Sequence, residues 1–131
     1  MIGVDTNVIL RYMVQDDVIQ SAAATRVFEG FEPESPGFIS AVAMIEMVWV
    51  LQSSYDASRQ QIQRVVETLL RSRGLVVERS DLFWMALGTY SRGNADFGDC
   101  LIERCGHAAG CDYTLTFDRN ASSSAGMRLL R

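Results

Sequence analysis

The sequence predicts an α/β fold in which a short, mostly parallel sheet is flanked by helices. Short apolar runs alternate with longer stretches whose apolar side chains recur at helical spacing. Parallel strands need a crossover connection of about a dozen residues or more, usually a helix, so this alternation indicates a largely parallel sheet with helices on both faces. No repeat or flexible linker divides residues 1–131, a length typical of one domain, and we therefore expect a single domain.

The first predicted elements are a strand and two helices. Residues 1–4 form an apolar run that ends at Asp5, which is able to cap a helix beginning near Val8. Residues 17–31 carry apolar side chains at helical spacing and predict the second helix. Residues 38–40 then predict a short strand whose serine caps the next helix.

The remaining elements continue the alternation. Helices are expected over residues 41–54 and 58–73, and the second of these ends at Gly74. The β-branched run at 75–77 predicts a strand. The elements expected after it are helices over 80–91 and 97–109, a strand over 113–117 and a last edge strand over 127–130.

Charge and composition exclude several mechanisms. The net charge is −4, and all twelve basic residues are arginine. The absence of lysine excludes Schiff-base chemistry and the lysine-containing phosphate-binding loop. Negative charge argues against binding nucleic acid through a simple basic surface, but it does not exclude a nuclease, because bound divalent cations offset acidic ligands.

Cysteine usage and hydropathy indicate an intracellular protein. The three cysteines match no zinc pattern, and we expect them to be reduced and mostly buried. The N-terminus lacks the pattern of a secretory signal, and the longest apolar run, residues 38–51, is short and contains Glu46. We therefore expect a cytoplasmic location and no membrane association.

Acidic residues follow the predicted strands and open one predicted helix. Asp5 and Asp118 come directly after strands, and ligands bind at the carboxyl ends of strands in parallel sheets. Each of the two is also compatible with a turn or a helix cap. Asp96 and Asp99 flank a helix start, where carboxylates meet the positive end of the helix dipole, and capping is the favoured interpretation for Asp96.

Glu46 is the only charged residue in the apolar stretch 41–51. We expect it to be buried, and an unpaired buried carboxylate costs several kcal/mol. Its expected partner is either an arginine or a metal ion shared with Asp5, Asp99 and Asp118. Oxygen ligands favour Mg²⁺ or Mn²⁺, and such a centre suits phosphodiester hydrolysis.

Together these motifs resemble a PIN domain, and among PIN domains they are most similar to VapC-type toxins of prokaryotic toxin–antitoxin pairs. The matching motifs are Asp-Thr-Asn at 5–7, the lone Glu46, Asp-Phe-Gly-Asp-Cys-Leu-Ile at 96–102 and Thr-Phe-Asp-Arg at 116–119. The resemblance implies a three-layer α/β/α fold and a metal-dependent endoribonuclease. The acidic set it implies is Asp5, Glu46, Asp99 and Asp118, with Asp96 as an alternative ligand and Thr6, Asn7 and Thr116 as polar neighbours.

The resemblance also implies partners. These are an RNA substrate, a VapB-type antitoxin that covers the acidic cleft and a second copy of the chain in a homodimer, with DNA contacted only indirectly through the antitoxin. Trp49 and Trp84 are compatible with an interface, although core packing is the favoured interpretation for each.

Other residues have weaker signals. Arg64 and Arg71 lie two turns apart on one helix face and could contact RNA phosphates, although a solvated face is favoured. Glu103 is explained by pairing with Arg104, and His107 by an ordinary helix-face position.

Two alternative functions compete with the nuclease. Aspartyl-phosphate chemistry is disfavoured, because Asn7 stands where that chemistry needs a second acid and lysine is absent. A non-catalytic PIN-like module that binds protein or RNA stays open.

Overall fold

Seven helices and five strands make up the computed structural model, which describes residues 1–131. The chain divides into two compact units, Met1–Ser80 and Asp81–Arg131, here called unit 1 and unit 2. The predicted α/β class is confirmed, whereas the single-domain organisation stays a prediction. No helix combines the length and the apolar character needed to cross a lipid bilayer.

Unit 1 contains a three-stranded parallel sheet. Its strand order is β1-β2-β3, with Ile2 paired to Gly37 and Gly37 paired to Leu75. The core includes the fully buried side chains of Ile9 and Met44. The elements of this unit are β1 (Ile2–Gly3), α1 (Thr6–Val14), α2 (Val18–Glu29), β2 (Gly37–Ile39), α3 (Ala41–Ser54), α4 (Arg59–Arg71) and β3 (Leu75–Val77).

Local sequence sets the helix starts in unit 1. The side chains of Asp5, Asp17, Ser40 and Ser58 each accept a backbone N–H at the start of a helix. Ser58 and Gln61 form a reciprocal capping box at α4. Each such cap contributes about 1 kcal/mol, which explains why the predicted starts agree with the structure to within a residue or two.

Unit 2 holds a two-stranded parallel sheet, in which Leu115 pairs with Arg128. In its core the Phe97 ring lies 6.2 Å from the Phe83 ring and 5.5 Å from the Tyr90 ring, measured between centroids. The elements of this unit are α5 (Ser80–Arg92), which begins at the boundary, α6 (Phe97–Ala108), β4 (Leu115–Thr116), α7 (Arg119–Ser124) and β5 (Arg128–Leu129).

The first strand and the last two are shorter than the sequence predicts, and one helix was not predicted. The strand expected over 113–117 is paired only at Leu115–Thr116, and the last strand only at Arg128–Leu129. The unpredicted helix is α7, whose sequence, RNASSS, is poor in strong helix formers. Its start is stabilised by the Asp118 carboxylate, which accepts from the Ala121 N–H.

A polar cluster joins the end of α1 to the end of α3. The Tyr55 hydroxyl donates to Asp16 Oδ2 at 2.6 Å, and Arg11 Nη1 donates to Asp16 Oδ1 at 3.2 Å. The tyrosine hydrogen bond, more than the charge of Arg11, lowers the pKa of Asp16. Because the pKa of Asp16 is lower in the folded state, its ionised carboxylate stabilises the fold at pH values above the unfolded-state pKa of 3.8. This stabilisation is lost as the pH falls through the folded-state pKa.

Replacing Tyr55 with phenylalanine is expected to move the pKa of Asp16 upward, toward its ordinary value. The substitution removes the hydroxyl that favours the ionised carboxylate and keeps the ring. An NMR titration of the Asp16 carboxyl carbon measures the change, with Tyr12→Phe as the matched loss of a hydroxyl elsewhere. An unchanged Asp16 titration in Tyr55→Phe would contradict the assignment.

Candidate active site

Asp5 lies just beyond the carboxyl end of β1. Its side chain is exposed, and its Oδ1 accepts a hydrogen bond from the Thr6 N–H at 2.8 Å. The cap interpretation is therefore correct for this residue. The cap uses one carboxylate oxygen, so the second oxygen remains available to a ligand.

Glu46 lies on α3 and is tied to the start of α1. The buried Thr6 hydroxyl donates to Glu46 Oε1 at 2.6 Å. This bond holds the Glu46 carboxylate next to the residue that follows Asp5. Thr6, which the sequence indicates only as a polar neighbour, thus bonds to Glu46 through its hydroxyl and to Asp5 through its backbone N–H.

The expectation that Glu46 is buried was wrong. The side chain is exposed, and its partner is a hydroxyl rather than an arginine. Val42 and Trp49, which share its helix face at spacings of four and three residues, are also exposed, at 71% and 65%. An apolar run around the whole helix does not indicate which face is covered, and in α3 the Glu46 face is not.

Asn7 follows Thr6 on α1 and is exposed. It lines a cavity of about 310 Å³ between α1 and α2, together with Arg11 and Gln20. Its expected role as a polar neighbour of a metal site stays a prediction.

The acids of unit 2 gather around the starts of two helices. Asp96 caps α6 by accepting from the Gly98 N–H at 3.2 Å, as its favoured interpretation requires. Asp99 lies in the first turn of the same helix. Asp118 caps α7 through Oδ1, and its own N–H donates to the Thr116 hydroxyl at 3.0 Å. Thr116 thereby orients the backbone at Asp118.

Asp99 is electrostatically crowded. Burial raises the pKa of this half-buried carboxyl, and the negative charges of Asp96 and then Asp118 raise it further. Asp96 and Asp118 are therefore both close enough to Asp99 to repel its negative charge. A cation at this position would relieve that repulsion.

Neither unit by itself gathers three or more histidine, cysteine or acidic side chains in a geometry that could hold a metal ion. Unit 1 contributes the linked pair Asp5 and Glu46, and unit 2 contributes the crowded acids near Asp99. The four-acid metal centre expected from the sequence stays a prediction.

The weaker sequence candidates have mixed outcomes. Arg71 pairs with Glu67 at 2.9 Å on α4, whereas Arg64 is exposed and lines a cavity of about 340 Å³ with Gln61 and Tyr55. Contact of either arginine with RNA phosphates stays a prediction, and the ion pair makes Arg71 the less available of the two.

Core packing was the wrong expectation for Trp49, whose side chain is largely exposed. Trp84 is also exposed, at 36%. The apolar sequence around each tryptophan indicates a helix, but it leaves the covered side of that helix undetermined.

Glu103 pairs with Arg104 at 2.6 Å, which confirms the structural explanation of this acid. His107 lies exposed in the last turn of α6. The expectation that the cysteines are mostly buried was wrong, because Cys100 is buried but Cys105 and Cys111 are exposed. All three are free thiols.

Comparison with known proteins adds two findings. The model of the PIN domain family matches residues 2–126. A VapC ribonuclease of Aquifex aeolicus (strain VF5) is 30% identical to this chain over 82 residues, which cover 63% of this chain and 61% of that protein. The match therefore spans about three fifths of the length of this relative.

Proposed function

The chain belongs to the PIN domain family, and on this premise we propose that it is a metal-dependent endoribonuclease of the VapC type. The supporting observation is the family match over residues 2–126, which includes every acid of the candidate site. The similarity to a VapC ribonuclease supports RNA as the substrate. The reaction proposed is hydrolysis of a phosphodiester bond.

Asp5 and Glu46 of unit 1 and Asp99 and Asp118 of unit 2 would share a divalent cation, with Asp96 as a further ligand. The donor set fits such an ion, because it consists entirely of carboxylate oxygens, which hard cations such as Mg²⁺ and Mn²⁺ prefer. Burial, and then the charges of Asp96 and Asp118, raise the pKa of Asp99, and a cation bound here would offset that unfavourable environment. When bound, the ion would activate water and stabilise charge on the phosphate.

The residues around the acids orient them. Thr6 donates to Glu46 Oε1 and fixes the direction of that carboxylate. Thr116 accepts from the Asp118 backbone and fixes the turn that presents this acid. The caps at α1 and α7 restrain the Asp5 and Asp118 side chains, and the remaining oxygen of each is available to a ligand. Asn7 would add an amide beside this set.

Partners follow from the toxin assignment. A VapB-type antitoxin would cover the acidic site, and two copies of the chain would form a homodimer. DNA would be contacted only through the antitoxin. The toxin would act on RNA in the cytoplasm, with exposed Arg64 as a secondary phosphate contact and Arg71 as a weaker one.

RNA cleavage by the purified protein is expected to require added Mg²⁺ or Mn²⁺ and to stop with EDTA. Cleavage of labelled single-stranded RNA, resolved on a denaturing gel, measures it. Restoration by excess divalent cation controls for damage caused by the chelator. Cleavage that continues in EDTA would overturn the metal assignment. RNA binding without cleavage under any metal condition would instead favour the non-catalytic module.

A further inference from the structure

The two-stranded sheet of unit 2 exposes its more apolar face. Because side chains alternate along a strand, Tyr113, Leu115 and Phe117 share one side of β4 and its extension. These three are 48%, 51% and 79% exposed. Thr114 and Thr116, on the opposite side, are half-buried. Aromatic and apolar side chains ordinarily occupy the covered face, so this arrangement marks a binding surface.

The neighbouring strand continues the same face. Arg128 pairs with Leu115 in the parallel register, and Leu130 lies two residues farther on with 42% of its side chain exposed. Five side chains therefore form one exposed surface, which we call the β4–β5 face; they are Tyr113, Leu115, Phe117, Arg128 and Leu130.

A cation and an aromatic ring are already stacked on the β4–β5 face. The Arg128 guanidinium carbon lies 3.6 Å from the centroid of the Tyr113 ring. A guanidinium held flat against a ring presents its other face to a further planar group. Nucleobases stack on both aromatic rings and guanidinium planes.

The charge near this face suits a polyanion. Residues 119–131 contain three arginines and no acidic residue, while the exposed acids Asp112 and Asp118 lie at the two ends of the segment 113–117. Arg128 and Arg131 line a cavity of about 540 Å³ with Tyr113 and Ser122, a volume in the usual range for a small-molecule site. The arginines on the Tyr113 side of the face, Arg128 and Arg131, favour a nucleic acid strand over an uncharged apolar partner.

We propose that the β4–β5 face binds single-stranded RNA by stacking unpaired bases on Phe117 and on the Tyr113–Arg128 pair. The proposal rests on the proposed ribonuclease function and adds a substrate subsite to it. Phe117 directly precedes Asp118, and adjacent Cα atoms are about 3.8 Å apart, so a base on Phe117 brings the backbone of that nucleotide close to this acid. Base stacking needs splayed-out bases, so the face selects single strands over duplex.

The test is binding of a short fluorescein-labelled oligoadenylate, measured by fluorescence anisotropy in EDTA so that cleavage does not interfere. Phe117→Ala and Tyr113→Ala are each expected to weaken binding, roughly fivefold to a hundredfold. Phe117→Leu keeps apolar area without a ring and should lose nearly as much as Phe117→Ala. Ile19→Ser, which removes an exposed apolar side chain on α2, should bind like the native chain.

Charge is tested separately. Arg128→Gln should weaken binding, whereas Arg26→Gln, at an exposed arginine on α2, should not. A blunt RNA duplex should bind more weakly than the single strand to the native chain, and its affinity should not depend on Phe117.

Three outcomes would overturn the proposal. One is native affinity for oligoadenylate in both Phe117→Ala and Tyr113→Ala. Another is full binding by Phe117→Leu, which would indicate apolar contact without stacking. The third is loss of a dimer in Phe117→Ala, seen by analytical ultracentrifugation, with RNA binding unchanged, which would make the face an interface between copies.

Failure of this proposal is distinguishable from failure of the nuclease assignment. Metal-dependent cleavage by the native chain combined with native binding by Phe117→Ala would overturn the stacking face alone. Weakened binding by Phe117→Ala in a chain that never cleaves RNA would support the face and overturn the nuclease.

Discussion

Replacement of Asp99 by asparagine is expected to reduce RNA cleavage on the order of 10³-fold while the protein stays folded. A metal-bound centre contributes several kcal/mol of transition-state stabilisation, and each 1.36 kcal/mol is about tenfold in rate. Asparagine keeps the size of the side chain and removes the charge that a cation would bind. Single-turnover cleavage of labelled RNA at saturating Mn²⁺ measures the loss.

The same substitution should stabilise the metal-free protein at neutral pH. The pKa of Asp99 is raised in the folded state by burial and by the charges of Asp96 and Asp118. Because the pKa of Asp99 is higher in the folded state, this residue favours the folded protein below the unfolded-state pKa of 3.8, where its carboxyl is protonated. That contribution is lost as the pH rises through the folded-state pKa and the carboxyl ionises. Removing the charge therefore relieves repulsion at pH 7, and the thermal midpoint in EDTA should rise.

Asp112→Asn is the matched control, because Asp112 is an exposed acid of the same unit and is not among the causes of the raised pKa of Asp99. It should leave cleavage and the thermal midpoint near native values. Equal cleavage by Asp99→Asn and the native protein would remove Asp99 from the site. An unfolded Asp99→Asn protein would show that this acid is structural.

Glu46→Gln should have an effect of comparable size, and Thr6→Val a smaller one. Glutamine still accepts from the Thr6 hydroxyl through its amide oxygen, so the variant loses charge and not the tie between α1 and α3. Thr6→Val loses that tie and leaves the Glu46 carboxylate unoriented. Partners that orient metal ligands typically contribute about 10- to 100-fold in metal affinity or activity, so Thr6→Val should fall in that range.

Thr6→Ser separates positioning from packing. Serine restores the hydroxyl and should recover most of the activity that Thr6→Val loses. Glu29→Gln, at an exposed acid on α2, controls for the loss of one negative charge in unit 1. Native activity in Glu46→Gln, or no recovery in Thr6→Ser, would contradict these roles.

Local chemistry made most of the helices predictable. Ser40 and Ser58 each combine a capping hydroxyl with a following helical pattern, and α3 and α4 begin where those residues predict. α7 was missed because its six residues carry no apolar stripe. It depends instead on the Asp118 cap and on the buried Ala121, neither of which is distinguishable from a turn in the sequence.

The identity of the acids was more predictable than their surroundings. Asp5 and Asp96 precede predicted helices, so their caps can be inferred from chain order, whereas the Asp118 cap could not be inferred because α7 was not predicted. The exposure of Glu46 could not be inferred, because α3 is apolar on all sides and its sequence carries no information on which side is covered. The β4–β5 face was missed for a related reason. Apolar and polar side chains alternate at 113–117 and define two faces of a strand, and the sequence alone favours the aromatic face as the buried one.

We propose that Asp5 and Glu46 bind the same divalent cation as Asp99 and Asp118. Mn²⁺ titration followed by electron paramagnetic resonance tests it most directly, because free Mn²⁺ gives the signal and no substrate is needed. If the claim holds, Asp5→Asn and Asp99→Asn, one from each unit, will each weaken the tightest Mn²⁺ site by about tenfold or more, since loss of a ligand should cost at least as much as loss of an orienting partner. Native Mn²⁺ affinity in either folded variant would contradict a shared centre.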